Sequence, residues 1–412
     1  MSRFRLLKCS TVLALAAAIF MLSDLAMSCP FCAAPSLTLS EQVAQADAVV
    51  LAKWTGGRPA NLSDAGTTEL EVIEVVHQAE GGKLAPGSPI SLIRYRTAKP
   101  GDQFMLFGTK VDSAIEWGSP LEVSKVAYEY MRNSPKPTVA AGERLKYFLK
   151  YLESEDKMIG DDAFGEFANA AYADVAKLSD EFPREKLRKW LTSKDVSPGR
   201  LGLYGMMLGL CGNDEDVKLM QSRILEPTDD FRLGIDGIMG GYLLLTGEKG
   251  LDLIEKEKLI NMSAPFSETY AAIQAIRFMW QYGDGKISIE RLRQATRLLL
   301  DRPELADLVI ADLSRMKDWS VQDKLMVIYD DETSFPSVKR AIVRYMLSST
   351  KDLGEAKTET PDSNAGASEP SSEKTTVAEL PAHVIKGQKC LEELEKKDPK
   401  TVNEAKRFFL LK

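Results

Sequence analysis

The sequence predicts a multidomain fold, a small antiparallel β-barrel followed by an all-α repeat domain. Three observations carry that prediction. Short apolar runs of strand type, bounded by Gly and Pro turns, fill residues 48–108. Beyond Ser134-Pro135-Lys136-Pro137 the pattern turns helical, with almost no strand signal. Within that helical part, similar apolar helices recur at a fixed interval: LGLYGMMLGLCG ends at Gly212, LGIDGIMGGYLLLTG at Gly247 and YAAIQAIRFMWQYG at Gly283, steps of 35 and 36 residues. A period in this range marks stacked two-helix units, none of which can bury its apolar face alone.

The first 28 residues read as a secretory leader. Arg3, Arg5 and Lys8 precede an apolar run from Val12 to Leu22, too short to span a bilayer comfortably, and Ala26-Met27-Ser28 offers small residues for cleavage before Cys29. The competing reading is an uncleaved N-terminal anchor. No later segment is apolar enough to cross a membrane. The chain has 412 residues, 44% hydrophobic and 27% charged, an ordinary globular balance. Its formal charge is −7, and an acidic chain repels phosphate backbones, which argues against nucleic acid as a partner.

After Cys29 and Cys32 comes a short amphipathic helix, Thr38 to Ala46, with Ser40 placed to cap it. Strands follow at Ala48–Trp54, Thr68–His77, Pro89–Tyr95 and Gln103–Gly108, and Val123–Met131 is expected to close the sheet. In the second strand Leu70 and Val72 share one phase while Ile73 and Val75 take the other, a slip that predicts a bulge. The Cys pair, the short helix and the strings ADAVVLAKW, TELEVIEVV and KPGDQFMLFG together resemble the netrin-like module shared with tissue inhibitors of metalloproteinases. That resemblance implies an OB-type barrel over 29–133 and, as one function, protease inhibition through the N-terminus. The family opens Cys-x-Cys, whereas this segment opens Cys-x-x-Cys. CPFCAAPSLTLSEQ directly after a leader also resembles exported bacterial proteins with an N-terminal CPFC motif.

The helical region, residues 140–350, resembles HEAT-like repeats, each period being a helix pair. AFGEFANAAYADV (Ala163–Val175) is the first expected repeat helix. ADLVIADLSRMKDW is expected to end at Trp319 and KRAIVRYMLSS near Ser349, with partner helices such as KLRKWLTS, IERLRQATRLLL and VQDKLMVIY between them. Residues 351–380 are rich in Ser, Thr, Glu and Pro and read as a disordered linker. Two short helices follow in 381–412, free to dock on the repeats or to bind something else.

Cys29-Pro30-Phe31-Cys32 is the sharpest chemical motif, and these two cysteines are the candidate site residues. The string resembles the active-site motif of glutaredoxin-type thiol oxidoreductases, which implies a nucleophilic first cysteine at a helix N-terminus. A local disulfide tethering the N-terminus fits the same spacing. Metal ligation has little to build on. His77 and His383 are the only histidines and neither has a partner at zinc spacing, and Tyr282–Ile287 lacks the ligands of a calcium loop. No nucleophile elbow, phosphate loop or zinc-protease motif occurs, so no catalytic residues and no cofactor are expected. The acid pairs Asp161-Asp162, Asp229-Asp230 and Asp330-Asp331 suit helix starts and turns. Asp236, Arg277, Asp312 and Arg344 interrupt apolar helices, and charge ladders between neighbouring repeats explain them better than a polar groove. The function expected is that of an exported, non-catalytic interaction protein presenting a helical-repeat surface to a protein or peptide. A thiol-disulfide protein using Cys29 and Cys32 and a netrin-like inhibitor are the alternatives.

Overall fold

The structure is a computed structural model that describes residues 29–32, 36–112, 114–228, 230–353 and 380–409. The expected leader, Asp229 and nearly all of the expected linker lie outside the described residues. The chain divides into two compact units, Met1–Asp216 and Val217–Lys412.

The first unit opens with α1 (Leu39–Gln45). Thr38, not Ser40, caps it: the Thr38 hydroxyl accepts from the Glu41 amide and the Glu41 carboxylate accepts from the Thr38 amide. Ser40 is thereby freed for a long-range contact. A six-stranded antiparallel sheet follows: β1 (Ala48–Arg58), β2 (Thr67–Gln78), β3 (Pro89–Leu92), β4 (Gln103–Val111), β5 (Ala114–Trp117) and β6 (Leu121–Glu122). Its order is β3-β2-β1-β4-β5, with β6 also on β4. β1 is central and Ala48 to Leu51 and Ala52 are all buried, which is why its sequence is an unbroken apolar run rather than an alternation. One face of the sheet packs Val50, Ala52, Leu70, Val72, Ile90, Leu92, Phe104 and Leu106 into a core. The expected slip in β2 is a bulge. Leu51 pairs with Glu74 and Ala52 with Val72, so Ile73 has no opposite number. The sheet curls enough that Arg94, just past β3, donates to the Trp117 carbonyl in β5 at 3.1 Å.

Val123–Met131 does not close the sheet. Ser124 caps a helix instead, α2 (Lys125–Asn133), by accepting from the Ala127 amide. Its buried residues Ala127, Tyr128, Tyr130 and Met131 recur at helical spacing, so period 3.6 overrides the local strand propensity. The unit continues with α3 (Ala141–Phe148), α4 (Lys157–Asn169), α5 (Tyr172–Ala176), α6 (Arg184–Thr192) and α7 (Leu201–Cys211), and the division at Asp216 falls within α8 (Asp214–Leu225). The helix expected over Ala163–Val175 is broken: Ala170 and Ala171 are extended, separating α4 from α5.

The second unit holds α9 (Ile235–Thr246), α10 (Glu248–Ile254, continued by a π-helical turn over Glu255–Ile260), α11 (Phe266–Tyr282), α12 (Ile289–Leu298), α13 (Ala306–Arg315), α14 (Gln322–Asp330), α15 (Pro336–Ser349), α16 (Ala382–Lys397) and α17 (Pro399–Phe409). Neighbours pack in chain order. α9 lies on α10 and α11, α12 on α11 and α13, and α15 on α13 and α14. The three glycine stops are where the spacing places them, each as the residue that ends its helix: Gly212, Gly247 and Gly283. At Gly247 φ is +59°, which an L side chain rarely adopts. The expected end at Trp319 is early by one turn, because α13 stops at Arg315 and Lys317 turns the chain with φ +53°. The last stop, at Ser349, agrees. The C-terminal helices dock on their own unit: α16 and α17 both pack on α15, with Val384, Cys390, Leu394, Val402 and Ala405 buried.

Candidate functional site

Cys29 and Cys32 form a disulfide, with their Cα atoms 5.4 Å apart. Residues 29–32 are not helical; 30–32 are a turn, and among the described residues the first helix begins at Leu39. The device that lowers a thiol pKa in the glutaredoxin-like reading is therefore missing at this cysteine pair. Cys29 is 5% exposed and Phe31 6%, and the Cys29 amide donates to the Ala168 carbonyl near the end of α4 at 3.0 Å.

That tether is one of several between the N-terminal segment and α4. Asp162 and Glu166, one turn apart, both reach for α1. The Leu39 amide donates to Asp162 Oδ1 at 2.6 Å and the Ser40 hydroxyl donates to Glu166 Oε1. On the other side, the Tyr130 hydroxyl donates to Asp162 Oδ2 at 2.7 Å and Arg144 Nη2 donates to Glu166 Oε2 at 3.0 Å. Asn169 Nδ2 donates to Glu41 Oε2 at 3.2 Å. Burial pushes the Asp162 carboxyl up to about 6, with Glu166 and Glu41 adding to it against the Leu39 and Tyr130 hydrogen bonds. Both carboxylates are answered within the cluster, while Arg144 Nε and Asn169 Oδ1 are buried without a hydrogen-bond partner, and the arrangement clamps a segment rather than cradling a ligand. The adjacent Asp161 faces away. Burial raises its carboxyl, but Lys157 and Arg200 together hold it below its ordinary value. Both acids stand inside α4, not at a helix start as the sequence suggested. Asp330 ends α14 and Asp331 follows it as expected, Asp330 pairing with Lys397.

Of the four charges expected in ladders, Arg277 and Asp312 form a rung at the repeat spacing, and other charged residues add further rungs. Arg277 Nε donates to Asp312 Oδ2 at 2.8 Å, 35 residues on, and Arg315 holds the other oxygen. Arg232 grips Glu268 through Nε and Nη2 at 2.9 and 2.6 Å, 36 residues on, and Lys258 adds a third bond at 2.8 Å. Arg291 reaches back 36 residues to Glu255. Asp236 behaves differently. Its Oδ1 accepts from the Gly237 amide in its own first turn, and burial raises its carboxyl.

Two surface features of the second unit are not consumed by packing. Leu225, Phe231, Leu233, Ile260, Met262, Phe266 and Tyr270 are all exposed, and they sit on or beside the loops that join α8 to α9 and α10 to α11. These loops face each other, with Leu225–Thr228 on one side and Asn261, Ser263, Ala264 and Pro265 on the other lining one hollow of about 290 Å³, and the Phe266 and Tyr270 rings stack at 6.1 Å. The second feature is a groove of about 920 Å³ along α13 and α15. Arg344, expected in a ladder rather than a groove, lines this one; nothing in the sequence pattern singled out the loop surface, because exposure of an apolar residue depends on which helix lies beside it.

Among the described residues no group of His, Cys, Asp and Glu is placed to hold a metal ion, and no helix is long and apolar enough to cross a membrane. His77 lies at the end of β2, while His383 is in α16, where its ring stacks on Trp319 at 5.9 Å. Compared with family models, curated proteins and solved structures, the chain matches none of them.

Proposed function

We propose that this is an exported, non-catalytic interaction protein, in which a small OB-type barrel precedes HEAT-like helix pairs that present a surface to a protein partner. The barrel reading is supported by the strand order β3-β2-β1-β4-β5 and by the Arg94 bridge between the two edges. The repeat reading is supported by helices that pack in chain order and by charge ladders spaced 35 and 36 residues apart. Export is supported by the Cys29–Cys32 disulfide, which persists in an oxidising compartment.

The observation that carries the function is the set of seven large apolar side chains exposed on and beside two facing loops. Scattered apolar residues are ordinary on a surface. A concentration that includes Phe231, Phe266, Tyr270 and Met262 has the composition of an interface core. Pull-down from the exported fraction tests this, comparing the natural chain with a Phe231→Ser, Phe266→Ser variant. The natural chain is expected to retain a partner saturably, and the variant to lose it with its thermal unfolding unchanged. A partner retained equally by both, or no saturable partner at all, overturns the reading. Intact-mass analysis of the same material is expected to show a chain beginning at Cys29 and two hydrogens lighter than its reduced form.

A further inference from the structure

We propose that the groove along α13 and α15 is a second binding surface, and that it takes an acidic peptide segment of a partner protein. The inference rests on the interaction reading above but uses a different face of the second unit.

The walls are two helical faces at regular spacing. From α13 come Asp307, Ala311, Ser314 and Arg315; from α15 come Ser337, Ala341, Arg344 and Ser348. The floor is made of small residues, so a ligand backbone can approach closely, and Ile310 and Tyr345 add apolar surface beneath.

The charge of the rim sets the class of ligand. α15 brings Arg340 and Arg344 to the groove and carries no acid, in a chain whose net charge is −7. Arg315 is 58% exposed and commits one nitrogen to Asp312; Arg340 meets Glu404 only at 3.5 Å. Each keeps donors for a further carboxylate, and a guanidinium fork binds carboxylates with two parallel hydrogen bonds. Asp312 is buried and already shared by Arg277 and Arg315, so it does not repel a ligand at the rim. Asp307 and Glu404 also line the groove, and what recognises an acidic ligand is the set of donors that Arg315 and Arg340 keep open. Small residues between cations fit a segment that alternates small apolar side chains with Glu or Asp.

The test uses the full exported chain and a fluorescent 20-residue probe peptide of Glu, Ala and Leu, with a twin in which every Glu is Gln. By anisotropy the acidic probe is expected to bind with a Kd on the order of 10 µM, weakening as salt rises. The Gln twin is expected to bind at least about ten-fold more weakly, as does the acidic probe on an Arg315→Glu, Arg340→Glu variant. Ser337→Trp fills the groove without changing charge and is expected to abolish binding, which separates occupancy from general electrostatics. Equal binding of the two peptides, or binding indifferent to these substitutions, overturns the proposal. Residues 354–379 hold six acids and two lysines. Binding that appears only once those acids are changed to amides would assign the groove to the chain itself and overturn the proposal too. Loss of the partner on Phe231→Ser, Phe266→Ser with no probe binding would remove the groove alone; the reverse would remove the loop surface alone.

Discussion

Asp162 accepts hydrogen bonds from the Leu39 amide and the Tyr130 hydroxyl, and so joins α1, α2 and α4 through one carboxylate. Its pKa of about 6 lies above its ordinary value of 3.8, so the folded state holds the proton more tightly than the unfolded chain. The contribution is full below pH 4 and is lost as pH rises through 6, on the order of 3 kcal/mol for a shift of about two units. Denaturant unfolding at pH 5 and pH 7.5 is expected to show that Asp162→Asn gains stability relative to the natural chain at the higher pH. An identical difference at both pH values would remove the argument. Comparing the two chains isolates this residue from the depressed carboxyls of Asp161 and Asp216, which act in the opposite sense. The disulfide closes so short a loop that Cys32→Ser is expected to cost about 2 kcal/mol or less and to leave partner binding intact. A larger loss of partner binding would revive the thiol reading.

At the scale of elements, the repeats are joined by buried ion pairs as well as by apolar faces. Glu268 is 2% exposed and answers both Arg232 and Lys258. Glu268→Ala leaves two cations without their counter-charge and is expected to destabilise by roughly 3–5 kcal/mol. Exposed Glu290→Ala, beside Arg293 and Arg297, is expected to cost about 1 kcal/mol or less. Equal effects would mean that the ladder is not buried. α16 seats on α15 through Gly387, where a side chain would run into Ser349 and Gln322. Gly387→Val is expected to lower the melting temperature of the second unit, since the carboxamide of Gln322 also donates to the Ser349 hydroxyl and the His383 carbonyl there.

At the scale of the whole molecule, the C-terminal helices close the exposed end of the second unit. Without them α15 would turn an apolar face to water. Lys386 and Lys397 pin α16 to Asp323 and Asp330 of α14, and Tyr329 donates to Asp398 at 3.1 Å. A chain ending at residue 353 is expected to unfold at lower denaturant and to aggregate, because it uncovers the α15 face that Val384, Leu394 and Val402 bury. Unchanged unfolding would show that the helices are an appendage.

The sequence by itself determined the order of the parts, the period of the helices and three of their stops, because glycine punctuation and apolar spacing are local signals. It also favoured a ladder for Arg277 and Asp312, since a buried charge needs a counter-charge, but it favoured the same for Asp236, which bonds to its own first turn instead. What only the tertiary structure decided depends on contacts distant in the chain. Val123–Met131 has strand-like residues, and its helix forms because one face packs inward. Asp161 and Asp162 look alike in sequence, yet one faces Arg200 and the other receives the amide of Leu39, 123 residues earlier. The loop surface and the arginine-rimmed groove belong to the same class. A side chain's exposure is set by its neighbours in space, and a sequence read one residue after another does not contain them.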